Sequence, residues 1–237
     1  MKTMFMAAGK GERLGKITQE IPKCLVSIGG VPLLNRWFDK FNEWKFSDIL
    51  INICHKQDKI LEHLKTTDWD GIRISIFREE TPLGTAKTMF INRKFVKGEY
   101  YFGVVYADVW TTFDLRKMIT FHKRRPSVVT LGLHIPKTYE GKGIAVIRDG
   151  IVVGFEEKPQ NNQKSKFVWA GIMIAHPSIF SCMTEGMKDI ATDLLPKLAQ
   201  TGKMSAFFIN DPLIDIGTPE SLKEADELAK GLGFKSL

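Results

Sequence analysis

The stretch "MFMAAGKGERLG", residues 4–15, runs an apolar lead-in directly into a loop with glycines at 9, 11 and 15. A buried strand opening into a glycine-rich turn is how α/β folds present backbone N–H groups to phosphates. Two common phosphate-loop patterns narrowly fail here. The dinucleotide fingerprint G-x-G-x-x-G, begun at Gly9, requires glycine at position 14, where Leu14 stands. The Walker A pattern requires glycine where Lys10 stands, and Ser or Thr where Ile17 stands. Ala7, Ala8, Gly9 and Gly11 are still small enough for backbone to approach an anion closely. Lys10, Arg13, Lys16 and Lys23 add positive charge, Arg13 as a planar fork and Lys23 as a point charge.

Outward from the loop, short apolar runs alternate with helical spacing. Strands are expected at 3–8, 48–54, 72–77 and 100–108, and helices over 31–44, in "QDKILEHLK", from Thr85, and in "DLRKMITFHK". This predicts an α/β fold, Rossmann-like, a three-layer α/β/α arrangement with a mostly parallel central sheet. Ligands of such sheets lie beyond the carboxyl ends of the strands. After about residue 127 the pattern changes. "SVVTLGLHI" is a strand, a hairpin turns on Asp149-Gly150, "WAGIMIA" is a further strand, and "DIATDLLPKLAQTGK" is helical as far as Gly202. A C-terminal helix follows, with Thr218 as N-cap and Pro219 in its first position. Residues 136–176 are expected to form a small antiparallel lobe over the sheet edge, and no repeat or linker divides residues 1–237.

Of the 237 residues 43% are apolar and 26% charged, an ordinary soluble composition. The net charge of +7 reflects either spare lysines on a solvated face or a site for polyanions. "HKRRP", 122–126, is the densest basic cluster; without a longer basic run, no nucleic-acid partner is assigned. Three scattered cysteines without C-x-x-C argue against a disulfide scaffold or a zinc site and favour a reducing compartment. No apolar run approaches the ~20 residues of a membrane span, so no membrane partner is expected and the chain reads as cytoplasmic.

Five segments, in order, carry a resemblance. They are "GKGERL" with Thr18 and "IPK" (21–23), "TPLGTA" (81–86), "YADVW" (106–110), "FEEKP" (155–159) and "IDIGTPESL" (214–222). Together they resemble the sugar-phosphate nucleotidyltransferase family from residue 1 to about 226. The resemblance implies a GT-A-like fold in a single domain, 1–237. Residues 1–135 would mainly bind nucleotide, and 136–237 would supply the acceptor lobe and the C-terminal helix.

It also implies roles. Ala7, Ala8, Gly9, Gly11, Arg13, Lys23, Pro82, Gly84 and Thr85 would bind a nucleoside triphosphate. Asp108 and Asp215 would hold Mg²⁺. Gly143, Glu157, Lys158 and Gly171 would receive a sugar-1-phosphate, with Arg13, Lys23, Asp108 and Lys158 as the catalytic set. A phosphate monoester, with a second pKa of about 6, needs no general base to become a nucleophile. That agrees with the absence of histidine from all five segments. What the reaction needs is charge neutralisation and in-line positioning.

Departures from the family pattern are Lys16 and Cys24 at proline positions, Tyr106-Ala107 before Asp108, Lys87 after "LGTA", and Trp169 before Ala-Gly. Lys87 and Trp169 bear on the acceptor pocket. In the family it resembles, Ala-Ala-Gly loops are commoner among users of UTP or CTP, so the resemblance at Ala7-Ala8-Gly9 implies a pyrimidine base. Trp169 also keeps open a CTP-dependent transfer to a small phosphate such as phosphocholine, since an aromatic wall suits its cation. A non-catalytic nucleotide-binding regulatory subunit is the reading of another class, and a homodimer is left open.

Overall fold

The computed structural model describes residues 1–69, 71–159 and 165–233. In chain order the strands and helices are β1 (Lys2–Met6), α1 (Lys16–Glu20), β2 (Ser27–Ile28), β3 (Val31–Pro32), α2 (Leu33–Glu43), β4 (Asp48–Ile53), α3 (Gln57–Thr66), β5 (Arg73–Arg78), α4 (Thr85–Ile91), β6 (Phe102–Tyr106), β7 (Val109–Thr111), α5 (Leu115–Lys123), β8 (Val129–His134), β9 (Gly143–Arg148), β10 (Ile151–Glu157), β11 (Phe167–Ala175), α6 (Leu195–Ala199), β12 (Met204–Phe208), β13 (Leu213–Asp215) and α7 (Pro219–Gly231). They form two compact units. The first takes the described residues of Met1–Pro82, Val105–Thr112 and Pro212–Leu237, and the second Leu83–Val104 and Phe113–Asp211.

In the first unit β4 pairs in parallel with both β1 and β5, Lys2 facing Asp48 and Asp48 facing Arg73. Parallel strands need crossover helices, and α2 and α3 supply them. The helix α2 buries Leu33, Leu34, Trp37, Phe38 and Phe41, the spacing of one helical face. Phe5 of β1 meets Trp37, Phe38 and Phe41 edge-on at centroid distances of 6.1, 5.9 and 5.8 Å. The Trp37 indole N–H donates to the Val109 carbonyl at 2.7 Å, which ties this helix to the strand after Asp108. The C-terminal helix begins as expected. The Thr218 side chain accepts from Ser221 N–H, Ser221 returns the bond, and Pro219 is the first helical residue.

The second unit orders its strands β11-β8-β12-β10-β9, and β9 pairs again with β11. That second pairing covers the edge that β9 would otherwise expose. Only β8 and β12 run parallel; β11 with β8, β10 with β12 and β9 with β10 are antiparallel. The parallel character expected from the alternation therefore describes the first unit, and the second is mixed. Asp149 and Gly150 carry the positive φ values, 51° and 76°, of the hairpin turn. The helix expected as far as Gly202 is a π-turn at Ile190–Leu194 followed by α6, which ends at Ala199. The pairs β2–β3 and β7–β13 are too short for periodicity to reveal.

Candidate active site

The first unit gathers Gly11, Arg13, Lys23, Asp108 and Asp215. Ala107 N–H donates to the Met6 carbonyl at 3.0 Å, so the chain leaves β6 beside the start of the glycine loop. Two residues later β7 pairs with β13, placing Asp215 opposite Val109, and Ile216 N–H donates to the Asp108 carbonyl at 2.9 Å. This pairing is why two carboxylates distant in sequence share one place.

Between them lies the Lys23 ammonium, with Nζ 2.6 Å from Asp108 Oδ2 and 3.6 Å from Asp215 Oδ1. The Lys23 side chain is only 11% exposed, so this is an enclosed ion pair rather than a solvated surface one. Burial pushes the Asp108 carboxyl up, but the Lys23 charge and hydrogen bond, a backbone hydrogen bond and Arg13 outweigh it and hold the group below the usual carboxylate range. Lys10, Gly11, Glu12, Arg13, Lys23, Asp108 and Gly217 line a cleft of about 330 Å³. Cys24, next to Lys23, is buried and its thiol is pushed up to about 12, so it adds no nucleophile.

Of the loop's three glycines the fold requires Gly11 and Gly15, the latter with φ 58°, and does not require Gly9. Gly11 has φ 69°, and a Cβ there would lie 2.8 Å from Thr18 Cγ2 and 3.3 Å from Lys23 Cβ. The Thr18 hydroxyl donates to the Gly11 carbonyl at 2.9 Å. A Cβ at Gly9 would meet nothing within 4 Å. Gly11→Ala is therefore expected to cost ~1–3 kcal/mol of stability. Gly9→Ala should leave Tm unchanged and weaken triphosphate binding by about tenfold, the added methyl keeping an anion from the loop amides. Thermal unfolding with and without nucleotide separates the two, and equal losses of Tm would refute the distinction.

Two contributors went unweighed in the sequence. A Cβ at Gly217 would lie 2.7 Å from Arg13 Nη2, so this glycine makes room for the guanidinium; its signal was its place in "IDIGTPESL". Behind the loop, Ala7 N–H donates to Asn52 Oδ1 at 2.8 Å, and Asn52 Nδ2 donates to Glu79 Oε1 at 2.7 Å. Asn52 and Glu79 are 3% and 2% exposed. A satisfied polar chain of this kind holds the loop's first residues in place. Its only signal was a polar residue within the apolar run "DILINIC".

The second unit gathers Gly143, Glu157 and Trp169 around Phe155. Gly143 pairs with Glu157 across the hairpin, and a Cβ on it would lie 2.5 Å from Phe155 Cζ and 2.6 Å from Glu157 Oε2. Burial pushes the Glu157 carboxyl up, with Lys158 opposing and Asp189 adding to the rise. The Lys158 side chain is 67% exposed, 3.9 Å from Glu157 Oε1, on a backbone with φ 50°. Gly171, with φ 69°, lies in the break of the β8–β11 register. The Trp169 indole N–H is committed to the Ile172 carbonyl at 3.1 Å, and its ring stands edge-on to Phe155 at 6.3 Å.

Of the "TPLGTA" residues, Pro82 is exposed in the first unit, while Gly84 and Thr85 are engaged within the second. A Cβ at Gly84 would lie 2.3 Å from the Lys188 carbonyl oxygen. The Thr85 hydroxyl donates to Asp189 Oδ2 and accepts from Ile190 N–H, both at 2.9 Å. Lys87 is half-buried at the start of α4.

The carboxylate pair suits a hard divalent cation, which takes one or two carboxylates and fills its shell with water and phosphate oxygens. Among the described residues no group of three or more His, Cys, Asp or Glu could hold a metal by itself. A cation here would therefore need the nucleotide's oxygens as well. Among the described residues no helix is long and apolar enough to cross a membrane.

A glycine loop beside Arg13 and Lys23, with two convergent carboxylates, has the chemistry of a protein that handles phosphate esters. The chain matches the nucleotidyl transferase family model over residues 2–230 and belongs to that family. It is an enzyme of nucleotidyl transfer, as the resemblance implied. It is 28% identical over 229 residues to the D-glycero-alpha-D-manno-heptose 1-phosphate guanylyltransferase of Aneurinibacillus thermoaerophilus, covering 96% of this chain and 97% of that one. It is 27% identical over 225 residues to the mannose-1-phosphate guanylyltransferase catalytic subunit beta of Xenopus tropicalis, covering 93% of this chain and 62% of that one. Among solved structures it resembles HddC from Yersinia pseudotuberculosis complexed with GMP-PN, with TM-score 0.80, 25% identity and coverage of 96% and 98%. The expected GT-A-like α/β fold is thus the fold of its structural relatives.

Proposed function

We propose that this enzyme transfers a nucleotidyl group from a nucleoside triphosphate to a sugar-1-phosphate, giving a nucleoside-diphosphate sugar and pyrophosphate. The observation that carries it is the Lys23 ammonium held at 2.6 and 3.6 Å between Asp108 and Asp215, in the cleft that Arg13 and Gly11 line. An acceptor phosphate oxygen attacks the α-phosphorus. The new P–O bond forms as the bond from that phosphorus to the bridging oxygen breaks, and pyrophosphate carries the electron pair away. Arg13 and Lys23 neutralise the triphosphate, and Arg13 follows the charge onto the departing oxygens. Lys158, on its exposed turn, takes the acceptor phosphate, and Glu157 accepts hydrogen bonds from sugar hydroxyls. Asp108 and Asp215 would hold Mg²⁺ with the triphosphate, where it lowers the repulsion between the two anions.

The relatives' names favour a guanine nucleotide. Ala7-Ala8-Gly9 supports the pyrimidine reading, which stands as the second. One domain over residues 1–237 is kept as the working unit, cytoplasmic, with a homodimer open. The test is a pyrophosphate-release screen of five nucleoside triphosphates against sugar-1-phosphates and phosphocholine, with and without Mg²⁺. Turnover with GTP and a sugar-1-phosphate supports the first reading, and turnover with UTP or CTP supports the second. Activity confined to CTP and phosphocholine would move the assignment to the choline-type acceptor. Silence with every pair, together with nucleotide binding, would make the chain a regulatory subunit.

Gly143 tests the acceptor half. Gly143→Ala would displace Phe155 or Glu157, so the acceptor KM should rise by about tenfold while the triphosphate KM stays put. An unchanged acceptor KM would remove these residues from the acceptor site.

A further inference from the structure

The second unit has another cavity, of about 750 Å³, within the size range of small-molecule sites. Tyr100 and Tyr101 before β6, Lys123 at the end of α5, Arg125 just after it, His176 after β11 and Lys203 before β12 line it. Strand register sets its place. Val129 of β8 faces Ala175 of β11 and Met204 of β12, while Trp169 faces Leu133 at the other end of β8. At ~3.3 Å per residue the four-residue step from Leu133 to Val129 puts the cavity roughly 13 Å along the regular strand β8 from the level of Trp169. It is separate from the acceptor residues.

Its charge is one-sided. Three cations line it and no carboxylate does. Among the described residues no acidic group lies within ion-pair distance of Lys123, Arg125 or Lys203. Aromatic faces hold two of these cations instead: Lys123 Nζ lies 5.0 Å from the Tyr101 ring and the Arg125 guanidinium 5.1 Å from that of Phe121. Such contacts position a cation without neutralising it. Tyr100 is 86% exposed, an aromatic ring presented to solvent at the rim. His122 also lines the cavity but is buried against Thr130, so it adds no charge near neutrality.

We propose that this cavity is a second, non-catalytic site for a nucleoside phosphate. Lys123, Arg125 and Lys203 take the phosphate oxygens, and the base stacks on Tyr100. Uncompensated cations around one concavity raise the local potential and favour an anion, and Arg125 can offer a paired fork. A lone phosphate would leave the Tyr100 face unused, whereas a base provides the flat partner that an exposed ring stacks on. The basic cluster "HKRRP", which nucleotidyl transfer leaves without a role, is the core of this site.

The test follows the ring ¹⁵N signals of His122 and His176 in the intact protein during titration with GMP, with inorganic phosphate and with a short single-stranded oligonucleotide. GMP should shift both signals saturably. Lys123→Ala with Lys203→Ala should weaken it by tenfold or more, on the order of two lost charge-assisted contacts. Tyr100→Ala should weaken GMP several-fold and leave inorganic phosphate unchanged, the loss expected of a stacking contact. Tyr100 is exposed, so its variant keeps the test alive if the double variant fails to fold. Signals that ignore GMP, or a Tyr100→Ala protein that binds it normally, would overturn the proposal. So would signals that respond to the oligonucleotide alone, which would make the cavity part of a nucleic-acid surface.

Discussion

Replacing Asp108 by asparagine should lower kcat for nucleotidyl transfer by ~10³-fold, the scale of one electrostatic contact made in the transition state. Asp108 is one of the two carboxylates that face Lys23, and its carboxyl is held ionised by that ammonium and by Arg13. Asparagine keeps the shape and a carbonyl oxygen but removes the negative charge that a divalent cation needs. The fold should tolerate the change, because Lys23 keeps Asp215 at 3.6 Å. Asp215→Asn should act in the same direction. A rate within a few-fold of wild type at saturating Mg²⁺, with an unchanged circular dichroism spectrum, would remove Asp108 from the catalytic set.

Acid should destabilise the protein before the Asp108 carboxyl titrates. Burial, with a smaller contribution from His176, pushes His122 down to about 4. It is 6% exposed, and its Nδ1 lies 2.8 Å from Thr130 Oγ1. The unfolded chain, with an ordinary imidazole, binds the proton first. Stability from the neutral ring is therefore complete above about pH 6.5 and is lost as pH falls toward 4. Between pH 7 and pH 5 this one residue should account for about 2 kcal/mol, or ~5 °C of Tm in a chain of this size. His134 is also pushed down to about 4, by burial and then Lys142, and adds in the same sense. Asp108 acts later. Its lowered carboxyl contributes stability above the ordinary carboxylate range, which is lost only as pH falls through its folded value. His122→Gln should flatten the slope of Tm against pH between 7 and 5, and an unchanged slope would refute the assignment.

The legible parts were those in which physics is local. Met4 and Phe5 form an apolar run before small residues, and β1 followed by the loop is what results. Apolar spacing in "PLLNRWFDKFNEW" became α2, Thr218-Pro219 became a helix start, and Asp149-Gly150 became a hairpin turn. Each depends on neighbours a few residues away. The π-turn at Ile190–Leu194 was not legible, because its apolar spacing is that of an ordinary helix. The antiparallel hairpin and lobe were expected, but not the strand order β11-β8-β12-β10-β9, because it depends on pairings between segments distant in sequence.

Among site residues, the types were legible letter by letter: a glycine loop, basic residues at 13, 23 and 158, carboxylates at 108 and 215, and no histidine among them. Their partners were set by the folding of the chain. It placed the Lys23 ammonium between the two carboxylates through a strand pair of three residues each. It gave Gly217 to Arg13 and Gly143 to Phe155 and Glu157. It also turned "HKRRP" from an unassigned basic cluster into one wall of a cavity. A residue's chemistry is carried by its side chain and can be read one letter at a time. Which charges meet depends on strand pairings between distant segments, set by the cooperative packing of the whole chain.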